Sequence, residues 1–468
     1  MTKILCVFLF CSCVFAQEPC TSPATKFPCN PVDSTIELAP DHLWPLVSQL
    51  TLSKNGTTLT GSQSSTVVVN KSSNMANCNG SGDSAVCITA DRAWMGGFSI
   101  DGNKAQNNQD IYGLMVNGNN ARILDMNVMN VQGSKAYGGA ISVRDVQRPF
   151  LTNVVLRENN SDGLDVFGST SHGIFTGISS NHNGMLGVEV ERSGLKRPTL
   201  LLFSNIMSTR NGAANFQVQG ADDVVANGIL TESGGVGHDS NNSNARIRSS
   251  DRVLLSSFVF RGPANGGPQG AWFPAGLSFD HEGKAEQNKD IVAIGGVISG
   301  YTSSGISVSR SDAAVGSGTN GLTLIGINST GNGGYGADFG NIKSNDNNVV
   351  FLGNQMSGNQ AGDVNKILSV PTHAILGNLP FSKTLPPIHL QLAGALLMGL
   401  DNEGNATFGK NVSAQSLIVN SIAMRPSPVP VHSTVVCTQG DFADDSQFHY
   451  YCSGNGAWKR VAWANDTW

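Results

Sequence analysis

Two short words in the sequence carry an acid in the same slot. GLDV begins at Gly163 and GVEV at Gly187, 24 residues later, so that Asp165 and Glu189 are both third residues. Glu191 stands two residues beyond Glu189. Paired carboxylates are the groups that cut a glycosidic bond. About 5 Å apart they suit a retaining hydrolase, and roughly 8 Å apart an inverting one with a water between them. Like charges held close also raise one pKa, which leaves one group an acid and its neighbour a base. Arg144 precedes these acids in the pattern, and Arg246 and Arg248 follow them. A guanidinium matches a carboxylate at two points, so all three arginines are candidates to hold an anionic sugar. Phe167, two residues after Asp165, offers an apolar platform to a sugar ring.

A second group is Asp280-His281-Glu282 with Lys284. Asp280 and Glu282 supply oxygen ligands of the kind calcium takes, and His281 could act as a base. The plainer reading is a solvated loop. His172, His182 and His238 fall in turns, where a lone histidine is ordinary polar surface. No GxSxG nucleophile elbow is present, and beyond calcium no cofactor is called for.

The acids belong to a longer series of words: GLMV, AISV, GLDV, GVEV, NFQV, NARI, GLSF, GISV and GADF. Their third residues are Met115, Ser142, Asp165, Glu189, Gln217, Arg246, Ser278, Ser307 and Asp338. The steps run from 23 residues (Ser142 to Asp165) to 32 (Arg246 to Ser278). Within each word the second and fourth residues are mostly apolar and the third mostly polar, as in a strand with one buried face. Between the words lie second strand-like runs such as ARILDMNVMNV and TLLLFSNIMSTRN, closed by Asn- or Gly-bearing turns where left-handed backbone is cheap. One repeat therefore holds two to three short strands, and successive repeats must stack in parallel to bury their apolar faces. Stacking puts the third residues in one outer column and the fifth residues in a second: Arg144, Phe167, Glu191, Gln219, Arg248, Asp280. Neighbouring rungs are about 4.8 Å apart.

This pattern resembles the right-handed parallel β-helix of the pectate-lyase-like superfamily. The resemblance covers about residues 45 to 360, with LTLSKNGTTLTGSQSSTVVVN and CITADRAWMGGFSIDGN as opening coils. It implies an all-β fold, a single-stranded right-handed parallel β-helix, followed by a small C-terminal β module. The polygalacturonase tripeptides NTD, GHG and RIK are missing, and Ser171-His172-Gly173 is only a partial echo of GHG. Residues 401–435, with LDNEGNATFGKNVSAQSLIVNS at their start, resemble segments of phage tail fibres and tailspikes that interlock as trimers, which implies a homotrimer. The expected plan is a signal peptide over 1–16, an N-terminal cap over 17–44, the β-helix over 45–365, a Pro-bearing linker over 366–400, the interlocking segment over 401–435 and a Cys-bracketed module over 436–468. That last module reads first as a disulfide-stapled cap; the alternative is a trimerisation or sugar-binding tip, for which Trp458, Trp463 and Trp468 are the candidates.

The first sixteen residues have a charged start, an apolar run and a small residue at the cut, as an export signal does. Six cysteines remain after it, in three close pairs: Cys20 and Cys29, Cys78 and Cys87, Cys437 and Cys452. An even count in an exported chain suggests local disulfides. The net charge is −5 with no basic run, so nucleic acid is not an expected partner. No segment is apolar for long enough to span a membrane. Only 13% of residues are charged, about half the usual share, which makes the acids at 165, 189 and 191 stand out. The sequence thus predicts a secreted β-helix that engages a polysaccharide along its flank, with hydrolysis by Asp165, Glu189 and Glu191 as the leading chemistry. A polysaccharide lyase and a non-enzymatic glycan-binding surface protein are the alternatives.

Overall fold

The structure is a computed structural model. It describes residues 35–134, 138–234, 243–262, 275–280, 287–308, 319–339 and 349–365, and beyond these only short strand pieces between 374 and 462. Two compact units are present, Met1–Lys410 and Asn411–Trp468.

The first unit is a parallel solenoid. Its nine words lie in one 12-stranded sheet in which each strand pairs with the strand before and after it, Leu50–Leu52, Ser84–Ile88 and Gly362–Asn365 being the other three strands. Tyr112–Val116, Gly139–Arg144, Asp162–Phe167, Val188–Glu191, Phe216–Gln219, Ala245–Arg248 and Leu277–Asp280 are seven successive rungs, all parallel. The runs between words build a second, 21-stranded sheet, with pairs such as Phe150–Arg157 on Ile174–Asn181. The expected all-β parallel fold is what the chain adopts, and no helix occurs among the described residues. Parallel pairing begins at Thr35–Glu37, inside the stretch expected to cap the solenoid. It continues to Leu379–Pro380, inside the expected linker. The words fade there while the backbone pairing does not. The strands Ile388–Leu392, Ala395–Leu400 and Ala406–Thr407 make a separate small antiparallel sheet.

Alternation places the second and fourth residues of each word in the core. Leu164, Val166, Val188, Val190, Phe216 and Val218 have no exposed surface. Each such side chain is worth about 1.5–3 kcal/mol when removed from water. Phe175 and Phe203, one coil apart, stack with centroids 4.7 Å apart.

The Asn and Gly content has a geometric reason. Each coil bends at fixed points where the backbone is left-handed. One column of such points runs through Asp125, Asn153, Gly177, Asn205 and Gly228, with φ between 51° and 69°. Gly and Asn tolerate this region far better than other residues. His172 and His182 occupy two further columns of the same kind, with φ of 55° and 53°, and both are exposed. They shape turns.

A buried ladder of asparagine amides ties coil to coil. Asn159 Nδ2 donates to Asn183 Oδ1 at 2.8 Å, and Asn183 Nδ2 donates to Asn211 Oδ1 at 2.9 Å. Each Oδ1 also takes a backbone N–H from the coil before: Asn159 Oδ1 from Val131, Asn183 Oδ1 from Asn159, Asn211 Oδ1 from Asn183. Ser180 Oγ and Ser208 Oγ complete the turn by donating to the carbonyls of Gly187 and Asn215. This packing explains the glycine that opens GVEV, since a Cβ at Gly187 would collide with Ser208 Oγ.

The second unit holds one three-stranded antiparallel sheet, Phe442–Asp444, Phe448–Cys452 and Trp458–Ala462. Trp458 packs with Ala443 and Cys452 and is 8% exposed, so it belongs to this unit's core, which suits the cap reading and not an open sugar platform. Trp463 and Trp468 lie outside the described residues.

Asn183→Ala removes the side-chain bonds on both sides of one ladder rung and strands the buried Asn159 backbone N–H, while Asn211 Oδ1 keeps the backbone N–H of residue 183. A loss of about 2–4 kcal/mol is expected, read as a lower urea midpoint followed by circular dichroism. An unchanged midpoint would mean the ladder does not hold the coils.

Candidate functional site

Backbone register brings the predicted columns together rung by rung. Ser142 pairs with Asp165, Asp165 with Glu189, Glu189 with Gln217, Gln217 with Arg246 and Arg246 with Ser278. The second column aligns in the same way: Arg144, Phe167, Glu191, Gln219, Arg248, Asp280.

The columns are not the solvated wall that an outer face suggests. Asp165 is 4% exposed and Glu189 7%, and Ser142, Gln217, Gln219 and Ser278 are buried as well. Part of the cover comes from the chain before the Ser84–Ile88 strand. Cys78 and Cys87 form a disulfide, as their spacing led us to expect, with Cα atoms 5.5 Å apart. These two cysteines cluster with Tyr112 and Met115 of the rung before Ser142. Of the other expected pairs, Cys452 is disulfide-bonded, while Cys437, Cys20 and Cys29 lie outside the described residues.

Arg144 does not reach out for an anionic sugar. Its donors are taken up inside the site. Nε donates to Ser142 Oγ at 2.7 Å, Nη1 to the Ser81 carbonyl at 3.1 Å, and Nη2 to Tyr112 Oη at 2.6 Å and Asp165 Oδ2 at 3.0 Å. The guanidinium also lies 5.0 Å from the Tyr112 ring centroid and 4.6 Å from that of Phe167. Half-buried Phe167 therefore meets a cation on the protein itself. Ser142 Oγ donates to the same Asp165 oxygen at 2.9 Å. Asp165 Oδ1, also buried, has no hydrogen-bond partner among the described residues.

Glu189 and Glu191 are held by amides. Gln217 Nε2 donates to Glu189 Oε1 at 2.8 Å and Gln219 Nε2 to Glu191 Oε1 at 3.1 Å. Arg248 Nη1 donates to Gln219 Oε1 at 3.3 Å. Arg246 pairs with Asp280 Oδ2 at 2.6 Å, and Arg248 Nε lies 3.7 Å from Asp280 Oδ1. The two arginines expected to hold substrate are thus engaged by Asp280. Asp280, expected as a calcium ligand, faces two cations, a setting that disfavours a third. Its expected co-ligand Glu282 lies outside the described residues, as do His281, Lys284 and His238. No group of three His, Cys, Asp or Glu side chains suited to a metal occurs among the described residues.

The structure adds an acid that the word pattern did not single out. Asp162 begins the strand that carries Asp165, and its Oδ1 accepts the Leu186 N–H at 2.9 Å. Alternation from Leu164 and Val166 would point it inward. The strand entry is irregular, however: Asp162 aligns with Gly139, whose φ is 153°, and the register skips the next pair. Asp162 interacts electrostatically with Asp165, Glu189, Glu191 and Arg144. The available signal was SDGLDV itself, with acids on both sides of one glycine.

Burial and crowding set the protonation of these groups. Burial raises Glu189 well above the carboxylate range, and the charges of Asp162, Glu191 and Asp165 push it further. Burial also raises Asp165, but the Arg144 charge and the bonds from Ser142 and Arg144 oppose that rise. Asp162 is pushed up to about 7 by burial, reinforced by the charges of Asp165 and Glu191 and opposed by the Leu186 N–H. Burial, reinforced by Asp165, keeps the Tyr112 phenol protonated. The arrangement is one carboxylate anchored to a cation beside a second held by an amide and crowded by acids, a pair suited to base and acid.

The chain is a right-handed parallel β-helix protein. Two solved structures share the fold. The catalytic unit of the GH87 α-1,3-glucanase from Streptomyces thermodiastaticus is 13% identical, with a TM-score of 0.53 over 74% of this chain and 64% of that one. Tailspike protein 3 of bacteriophage CBA120 is 11% identical, with a TM-score of 0.50 over 81% of this chain and 64% of that one. No protein-family model matches the sequence, and no curated protein matches it. At such identities the likeness is one of fold.

The raised acids set a pH dependence. An acid whose folded pKa lies above its unfolded value is protonated by folding, so its contribution to stability falls as pH rises between the two values. For Asp162 the window runs from 3.8 to about 7. Asp162→Asn keeps the acceptor for Leu186 and removes the charge. It is expected to raise the melting temperature at pH 8 by at least about 2 °C and to leave it nearly unchanged at pH 4. Equal melting curves at pH 8 would contradict the placement of Asp162 among the acids.

Proposed function

We propose that this chain is an exported glycoside hydrolase that acts on a polysaccharide at the flank of its β-helix. One observation carries the reading. Asp165 and Glu189 are register partners on adjacent strands, both buried, and only Asp165 is bonded to an arginine. Two carboxyls whose surroundings push their pKa values apart are the mark of an acid and a base working together. In this reading Glu189, kept protonated, gives its proton to the leaving glycosidic oxygen. Asp165, bonded to Arg144 and Ser142 through Oδ2, is the carboxylate for the anomeric carbon, with its unbonded Oδ1 as the attacking atom. Adjacent rungs lie about 4.8 Å apart, close to the separation of a retaining enzyme. Asp165 is then the nucleophile, and Glu189 returns as the base that activates water. Glu191, two residues on along the Glu189 strand, and Asp162 hold up the Glu189 pKa.

The glucanase among the fold neighbours agrees with a polysaccharide substrate. The Cys78–Cys87 disulfide agrees with an oxidising compartment, and no helix among the described residues is long and apolar enough to cross a membrane. The expected homotrimer depends on residues 401–435, most of which lie outside the described residues.

Asp165→Asn and Glu189→Gln should each lower kcat by roughly 10²–10⁴-fold, measured as new reducing ends from a panel of neutral and acidic polysaccharides. Near wild-type rates in both variants would remove the site. A product that absorbs in the ultraviolet through a new double bond would indicate a lyase, and binding without any cleavage would indicate an adhesive surface protein.

A further inference from the structure

The chain from Asn77 to Asp83 is a tight turn. It is closed by a bridge between those two residues and by the Cys78 N–H on the Gly82 carbonyl at 2.7 Å. The disulfide pins this turn to Cys87, in the column two rungs before Ser142. Asn117 Nδ2 grips it from beside, donating to the Cys78 carbonyl at 3.2 Å and to Ser81 Oγ at 2.8 Å. The turn in turn offers the Ser81 carbonyl to Arg144. Arg144 is therefore fixed from four sides, by Ser81, Ser142, Tyr112 and Asp165, and its position sets which oxygen of Asp165 is hydrogen-bonded and which is not.

We propose that Arg144 is a positioning residue for Asp165, and that the Cys78–Cys87 bridge holds Arg144 to that task through the Ser81 carbonyl. This rests on the reading of Asp165 as a reacting group. The bridge touches none of the acids, yet it orders the only cation bonded to Asp165 among the described residues. Opening the bridge frees the turn, loosens the Arg144 fork and weakens the cation that opposes the burial-driven rise of Asp165. The charged and titratable groups facing Asp165 are Arg144, Tyr112, Asp162, Glu189 and Glu191. With Arg144 loosened, the acids among them are left less opposed, so the Asp165 titration moves upward.

The test is a carbon-13 NMR titration of the full chain with labelled aspartate carboxyls, the Asp165 signal being identified by its loss in Asp165→Asn. Three variants are compared with the wild type: Cys78→Ser with Cys87→Ser, Arg144→Lys, and Asn117→Ala. The last loosens the turn and leaves the bridge intact. The Asp165 midpoint is expected to rise by about one unit or more in the first two, a tenfold change in proton affinity, and by less in Asn117→Ala. Asp223, paired with Arg252 on the other sheet, should stay fixed. In the same variants the acid limb of kcat/KM should move upward by the same amount, which a general loss of stability would not produce. An unmoved Asp165 midpoint in Arg144→Lys overturns the proposal. A midpoint that moves in Arg144→Lys but not in a folded bridge variant or in Asn117→Ala overturns the role of the bridge. If the bridge variant does not fold, Asn117→Ala decides. If the wild type cleaves no glycan, the reading as a hydrolase falls while the titration still decides the positioning claim.

Discussion

Everything in this molecule depends on one coil lying in register on the next. The parallel backbone ladder sets a rung spacing of about 4.8 Å, and the interior asparagine ladder fixes which residue meets which. Because the amides of Asn159, Asn183 and Asn211 each bond both forward and back, a slip by one residue would break several buried bonds at once. That rigidity turns a sequence spacing into a chemical distance. Asp165 and Glu189 meet because their coils do.

The same constraint makes the site expensive in electrostatic terms and useful for that reason. Stacking brings the buried acids Asp165 and Glu189 together with the half-buried Asp162 and Glu191, and Arg144 is bonded to Asp165. Acids in such a place cannot all be ionised. The protein meets this by giving Asp165 a cation and two donated hydrogen bonds, and by giving Glu189 only an amide. The asymmetry follows from which neighbour each acid has along its column. Ser142 and Arg144 precede Asp165, whereas Gln217 and Gln219 follow Glu189.

Much of the fold was legible because its period is written into alternation. The words place Leu164 and Val166 inward and Asp165 outward, and the register found is the one that their spacing implies. The local pair Cys78 and Cys87 was legible for the same reason of proximity. Other features depend on contacts that no period encodes. That Asp162 joins the acids comes from an irregular strand entry opposite Gly139. That Arg144 turns inward comes from a turn bearing Ser81, 63 residues earlier in the chain. Alternation separates inside from outside, but it says nothing of what folds over the outside, and so the burial of Asp165 and Glu189 was not readable. His172 and His182 show the converse case, residues with catalytic potential that serve as left-handed corners.

The most direct test of this account is a crystal structure of the Glu189→Gln variant with a bound oligosaccharide from the polysaccharide that the wild type cuts. The account predicts a sugar across the rungs of Asp165 and Glu189, with the glycosidic oxygen within about 3 Å of the residue 189 side chain and the anomeric carbon facing Asp165 Oδ1. A sugar bound on the 21-stranded sheet or on the module of residues 442–462, with the Asp165 rung empty, would contradict it.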